Sequence, residues 1–473
     1  LITIVGGGFA GVEAAWVLAS HGVEVELWEM RPHRMTPAHT GPHLAELVCS
    51  NSFKSKLETS PAGQLKFEMD QLGSVVLAVA RDHEVPAGEA LAVDREAFGS
   101  ALTGKIESHP LIRVRREPFL PHQAEATLRQ GQPLLLATGP LTSPELSEWI
   151  AAQSGRRHLH FYDAVSPTVD ASSLDRSVVF AQSRYDKGGG DDYLNCPFNK
   201  DEYEHFVAEL VRAERAPIHA FEAGGVRGEV QLDPSYSLPT LEGQFLEQIK
   251  YFAGCTPIEA IAEKGPRSLA FGNFKPVGLT DPRTGRRPWA ALQLRPENAE
   301  KTLYSLVACQ TRLKWGEQKR IFRLVPGLGQ AEFVRFGVIH RNTYVEAPQV
   351  LDPTLQFRVR PGLYLSGQLT GVEGYVESAA MGIYSGLVLL ARAKGIEFPL
   401  PPRETAYGSL LAHLQDSTPR EFAPMNINWG ILPDPAEPTR DKGVKRAQKI
   451  AAAREGMAHW SRELGPILSL PTA

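Results

Sequence analysis

The residues best suited to chemistry in this chain are a glycine turn near its start and two of its four cysteines. Cys255 stands immediately before Thr256-Pro257, which reads as a helix start within KYFAGCTPIEAIAEKG. A helix N-terminus offers unpaired N–H groups and a positive dipole end, which stabilise the thiolate, the nucleophilic form of cysteine. Cys49 precedes Ser50-Asn51-Ser52. Small polar residues suit a helix cap or a tight loop, and they also leave a thiol accessible. Cys196, in Asn-Cys-Pro-Phe, and Cys309, in LYSLVACQ, read as small buried hydrophobes. No two cysteines form C-x-x-C, so neither a zinc ribbon nor a redox dithiol is expected, and no metal site is. Gly6-Gly7-Gly8-Phe9-Ala10-Gly11 satisfies G-x-G-x-x-G, whose chemistry is the binding of a pyrophosphate.

The elements around that turn are those it needs. An apolar run, Leu1 to Val5, leads into it; a helix follows with Gly11, Ala14, Ala15 and Leu18 on one face and Glu13 and Ser20 off it. Gly22 suits a C-cap, and a second strand, Val23 to Trp28, ends at Glu29. Gly6 permits the tight turn, Gly8 the approach of a pyrophosphate, and Gly11 close packing of helix on strand. Glu29 is placed to accept from a ribose diol, and Arg31 to face an adenylate phosphate or solvent. Two distant segments join this unit. Pro133 to Gly139 reads as a buried strand ending in Ala137-Thr138-Gly139, and Gly362 to Gln368 as another, followed by Gly371, Gly374-Tyr375 and a small-residue helix, Val376 to Ala393. Three such pieces predict FAD rather than bare NAD, with contacts from Gly6, Gly7, Gly8, Phe9, Ala10, Gly11, Glu29, Arg31, Thr138, Gly139, Gly367, Gln368, Gly374 and Tyr375. They predict an α/β fold with a discontinuous Rossmann-like FAD-binding domain, residues 1–160 and 335–473, and a large inserted α+β domain, residues 161–334.

Elsewhere HLAELVCSNSFKSK begins as a helix-like apolar stretch, residues 61 to 80 read as one long helix, and Ala92 to Gly104 as another. The segment 223–243 reads as an exposed Gly/Pro-rich insertion. Near the C-terminus a basic helix from Arg440 to about Leu464 places Lys442, Lys445, Arg446 and Lys449 on one face, either solvated or contacting phosphates. Arg283 to Arg287 is a second basic cluster, and Trp315, flanked by Arg312, Lys314, Lys319 and Arg320, is core or a stacking surface. The 50 basic and 54 acidic side chains nearly balance, so any polyanionic partner must be met by a local face. No apolar run is read as a membrane span, and few cysteines without an export signal predict a cytoplasmic protein with free thiols.

These residues resemble a family, the folate- and FAD-dependent tRNA uracil-5-methyltransferases. The resemblance covers essentially the whole chain, through IVGGGFAGVEAAW, WEMRP, HLAELVCSNSFKS, YLNCPFNKDEY, GCTPIE, FKPVGLTDPRTG, LKWGEQKR, SGQLTGVEGYVESAAMG and MNINWGILP. It implies transfer of a one-carbon unit from methylenetetrahydrofolate to C5 of the T-loop uridine, position 54, of tRNA. Reduced FAD takes part and is replenished by NAD(P)H. It also implies two functional cysteines, which map onto Cys49 and Cys255. Uracil C5 becomes nucleophilic only after something adds at C6, and a thiolate can both add and leave. Cys255 is the expected nucleophile and Cys49 the expected acceptor of the C5 proton. They are far apart in sequence, so a shared site would lie in a cleft between domains. Two alternatives stand beside this: a GidA-like flavoprotein acting on wobble uridine of tRNA, and an FAD-containing redox or RNA-binding protein without methyl transfer. The sequence carries no signal of oligomeric state.

Overall fold

The computed structural model describes residues 1–36, 38–154, 159–164, 166–186, 190–216, 256–337, 339–418, 422–435, 439 and 441–469. Ile2–Val5 is the middle strand of a five-stranded parallel sheet, flanked by Leu134–Leu136 and then Leu363–Leu365 on one side, and by Val25–Trp28 and then Ile112–Arg115 on the other. Ile2–Val5 and Leu134–Leu136 are runs of Ile, Thr, Val and Leu buried along their whole length, as strands covered on both faces require, whereas Val25–Trp28 carries Glu26 and is buried on alternate residues. The helix Phe9–Ser20 crosses from the first strand to the second and packs along Tyr375–Lys394. The two approach closely because the second helix carries glycine at the contact: a Cβ on Gly382 would lie 2.3 Å from the Ala10 carbonyl oxygen.

Tyr375–Lys394 has the length and hydropathy of a membrane span, which corrects the expectation that no segment does. Of its most apolar stretch, 83% is buried inside the protein, so it is the central core helix.

The second sheet has six strands, all antiparallel, in the order Phe180–Ala181, Leu194–Phe198, Ala290–Pro296, Leu303–Leu306, Thr168–Asp170, Phe333–Arg335. Lys200–Arg212, opened by a reciprocal Asn199–Glu202 cap, packs against it, and Cys196, Phe198, Phe206 and Phe274 fill the space between. The ladder Leu159–Ala164 with Ile339–Tyr344 brackets this sheet in sequence. A small sheet of Ser52–Ser55, Ala90–Val93 and Glu84–Val85 stands nearer the N-terminal unit.

Four local expectations are corrected. Residues 61 to 80 form two helices, Pro61–Gln71 and Val75–Asp82, because Gly73 turns the chain at φ +74° and Ser74 caps the second by accepting from Leu77 N–H. Ala90–Val93 is a strand; the helix after it, Arg95–Glu107, starts at Asp94, whose carboxylate accepts from Ala97 N–H. The stretch through Cys49 is irregular and leads into strand Ser52–Ser55, held there by Asn51, whose Nδ2 donates to Val93 O and Pro296 O at 3.0 Å each. Glu13 is fully buried: it accepts from Ser74 Oγ and from the N–H groups of Val75 and Val76 at 3.1 Å. It caps a neighbouring helix through space, which no helical wheel reveals.

Candidate active site

Gly6 sits at φ +106°, and a Cβ there would lie 2.3 Å from the Ala137 carbonyl oxygen; one on Gly11 would lie 1.9 Å from the Gly6 carbonyl oxygen. Both are therefore glycines of close approach, one between strands and one between helix and turn. Gly8 is different. It is the N-cap of Phe9–Ser20, no side chain caps that helix, and a Cβ on Gly8 would meet open space. The helix thus presents its first N–H groups to an open cleft. Of the residues expected to hold a cofactor, Gly6, Gly8, Phe9, Ala10, Glu29, Arg31, Thr138, Gly139, Gly367, Gln368 and Tyr375 line this cleft. Gly7, Gly11 and Gly374 do not. Gly7 lies behind it, its N–H donating to Glu29 Oε2 at 3.0 Å, and Gly374 backs onto Lys54 and Glu377. The cleft also takes residues not expected as cofactor contacts, among them Trp28, Met30, Thr36, His39, Val48, Glu117 to Phe119, Thr142 and Ser378.

Arg31 lines the cleft but does not face bulk solvent. Its guanidinium is buried and held between Glu29, at 2.9 Å, and Glu46, at 2.8 Å. Burial alone would raise the Glu29 carboxyl, but the charge and hydrogen bonds of Arg31, with the Arg31 and Gly7 N–H groups, hold it below the ordinary carboxylate range. Glu29 therefore lines the cleft as a fixed anion at the end of its strand. An uncapped helix N-terminus, open space at Gly8 and an ionised acceptor one strand away match the pyrophosphate and ribose of a dinucleotide.

Cys49 adjoins this cleft through Val48 and Tyr375, which line it. The Tyr375 hydroxyl accepts from Cys49 N–H at 2.8 Å and lies 2.8 Å from its sulfur. Burial, and then the neighbouring cysteine, push the Tyr375 hydroxyl well above its ordinary value, so it keeps its proton. With its lone pair directed to the backbone N–H, that proton is available to the sulfur. The ring of Tyr375 packs on Phe9 at 4.9 Å, tying the thiol to the glycine turn.

Comparison with known proteins agrees with this geometry. A family profile described as "Glucose inhibited division protein A" matches residues 1–397. The methylenetetrahydrofolate--tRNA-(uracil-5-)-methyltransferase TrmFO of Moorella thermoacetica is 51% identical over 95% of this chain and 96% of its own length. That of Desulforudis audaxviator is 46% identical over 98% and 99%. This chain belongs to the TrmFO family. Among solved structures, GidA of Aquifex aeolicus superposes with a TM-score of 0.63 at 15% identity, covering 99% of this chain and 74% of the GidA chain, a likeness of fold.

Other residues singled out in the sequence fall as follows. Cys255, the expected nucleophile, and the 223–243 segment lie outside the described residues. The residues just after Cys255 are firmly placed: Ile258 N–H donates to Gln310 O at 2.7 Å, and Glu259 accepts from Thr311 Oγ1 and Arg312 N–H. The helix there, Ile258–Ala262, is only five residues long. Cys196 and Cys309 are fully buried, and desolvation pushes both thiols up, out of reach of nucleophilic chemistry. The basic helix spans Lys442–Leu468, but Lys449 is not on a solvated face. Its ammonium is buried, donating to Trp429 O at 2.7 Å and Leu432 O at 2.8 Å beside Asp434. Lys445 pairs with the same Asp434, leaving Lys442 and Arg446 on the exposed face. Arg283 is paired with Asp281 at 2.8 Å. Trp315 is 41% exposed and stacks on Phe336 at 5.6 Å, which stacks in turn on Phe333.

Proposed function

We infer that this chain is a methylenetetrahydrofolate--tRNA-(uracil-5-)-methyltransferase with FAD as its cofactor. The observation that carries the reading is a cysteine, Cys49, held by Tyr375 at the rim of a dinucleotide cleft, in a chain that matches TrmFO relatives from end to end. The wobble-uridine reading has the shared profile and fold in its favour, but its solved representative is only 15% identical.

The cleft residues divide the work. The first N–H groups of Phe9–Ser20 receive the pyrophosphate, and Glu29 accepts from a ribose diol. Bound there, FAD supplies the reducing equivalent for the methyl group, and NAD(P)H is the proposed source of electrons. Cys255 adds to C6 of the target uracil, which makes C5 a nucleophile toward the folate methylene. The Cys49 sulfur then takes the C5 proton, and the C–H electron pair expels the folate nitrogen to leave an exocyclic methylene; once that methylene is reduced to the methyl group, the enolate so formed expels the Cys255 sulfur from C6. Tyr375 holds that sulfur in place. We propose residues 1–160 and 335–473 as the FAD-binding part, 161–334 as the inserted part, position 54 as the target, and the cytoplasm as the location. Contacts across the two sheets support a site at their junction: Asn51 reaches Pro296 O, and Arg335 reaches Val48 O at 3.4 Å.

Undermodified tRNA incubated with enzyme, methylenetetrahydrofolate and NAD(P)H should yield 5-methyluridine; none, from protein that holds FAD, would defeat the reading. With 5-fluorouridine in the tRNA, Cys255→Ala should form no covalent adduct while Cys49→Ala still does. The opposite pattern would exchange the two roles.

A further inference from the structure

Behind Cys49 lies a group of charges that the steps above do not use. Arg95, at the start of helix Arg95–Glu107, donates to Leu47 O and forms an ion pair with Glu297, which is buried. Arg335, at the end of strand Phe333–Arg335, donates to Val48 O at 3.4 Å and to Thr168 Oγ1 at 3.3 Å. Both guanidiniums thus grip the two carbonyls that precede Cys49. The charges do not balance. Glu297 pairs with Arg95, whereas Arg335 has only neutral acceptors, and its Nε finds none among the described residues. A third cation, Arg295, also acts on Glu297, and its Nε is likewise buried without an acceptor. Among the described residues three guanidiniums thus share one carboxylate, Glu297, whose charge also acts on Arg335, and buried cations in excess of their counter-charge are costly unless a further anion lies nearby.

We propose that Cys49 is that anion: Arg335, braced by the Arg95–Glu297 pair, is a positioning residue that keeps Cys49 as a thiolate and fixes its loop. The groups that face this sulfur are consistent with the assignment. Arg95 and Arg335 both act on Cys49 electrostatically, and Tyr375 offers it a proton in a hydrogen bond. Tyr375 is itself neutral, as its burial requires, so it cannot be the missing anion. Desolvation and the repulsion of Arg95 push Arg335 down to about 10 against the opposing charges of Glu297, Tyr375 and Cys49, so it is still a cation at neutral pH. Glu297, despite burial, is pulled down to about 2 by the surrounding guanidiniums and stays charged. A thiolate is also the form needed to accept the C5 proton, so the proposal deepens the role given to Cys49 and rests on that reading for its use in methyl transfer.

The test needs neither tRNA nor folate, so it can fail while methyl transfer stands, or hold while methyl transfer fails. In the FAD-loaded Cys255→Ala protein, the rate of Cys49 alkylation by iodoacetamide is followed against pH. Arg335→Gln should move the midpoint up by about one pH unit, a roughly tenfold slower reaction at neutral pH, and Arg335→Lys should restore much of it. An unshifted profile in Arg335→Gln with flavin retained would overturn the proposal. If that variant does not fold, the thiolate absorbance of the folded Cys255→Ala protein against its Cys49→Ser counterpart decides instead. A Cys49 midpoint at or above about 8.5, that of an ordinary thiol, would overturn the proposal without any change at Arg335.

Discussion

Glu13 lies behind the cofactor helix, and its chemistry should be visible in the stability of the whole cleft. Burial raises its carboxyl from 4.5 to about 7, against the opposing effect of hydrogen bonds from Ser74, Val76 and Val75. The sign follows from proton binding. Below pH 4.5 the folded and unfolded chains both carry the proton, and the group costs nothing. Between 4.5 and about 7 the unfolded chain releases it first, so stability falls as pH rises. Above about 7 the loss levels off, and at ~1.4 kcal/mol per pKa unit it reaches about 3 kcal/mol. Glu13→Gln removes the titration; its single amide oxygen can replace only one of the two oxygens that accept from Val75 and from Val76 with Ser74, a loss that is the same at every pH, so only the pH dependence is compared. With saturating FAD, urea unfolding followed by flavin release should therefore show the unmodified protein losing about 2.5 kcal/mol more than Glu13→Gln between about pH 5 and pH 8. Parallel curves for the two proteins would refute the argument and mean that Glu13 enters the fold already ionised, its three donors outweighing burial.

Two other substitutions separate structural from functional residues. Gly11→Ala would put a Cβ 1.9 Å from the Gly6 carbonyl oxygen, backbone that cannot yield, so the purified variant should hold little or no FAD; normal flavin absorbance per chain would contradict the close-approach role. Lys449→Ala should lower stability by about 2 kcal/mol or more, since two carbonyls and Asp434 lose a buried ammonium, and should leave the salt dependence of tRNA binding unchanged. Neutralising Lys442 and Arg446 together should flatten that salt dependence instead, with unaltered melting. A flat salt response in Lys449→Ala would reverse this division of the helix.

Sequence alone was sufficient for whatever is decided within a few residues of chain. The turn at Gly6 to Gly11 needs a positive φ at one position and no Cβ at another, demands that only those residue types meet, so the strand, the turn and the uncapped helix start were legible with their function. The runs Leu134–Leu136 and Leu363–Leu365 are apolar enough to be covered on both faces, and their glycine ends placed them at the same cleft. Tertiary structure decided everything whose energy depends on a distant partner. HLAELVCSNS has a helix-like apolar pattern, yet Asn51 bonds across to Val93 and Pro296, and those fixed carbonyls outweigh a weak local preference. Lys449 and Glu13 read as solvent-facing because charged residues usually are; each is buried because a separate segment ends in unsatisfied backbone groups that the charge completes. Cys49 and Tyr375 are 326 positions apart, and Val48 and Arg335 287, and no periodicity would pair them. The setting of the thiol comes from two sheets meeting at one loop, and the strength of a buried charge is a property of that enclosure, which a linear reading of residue types cannot contain.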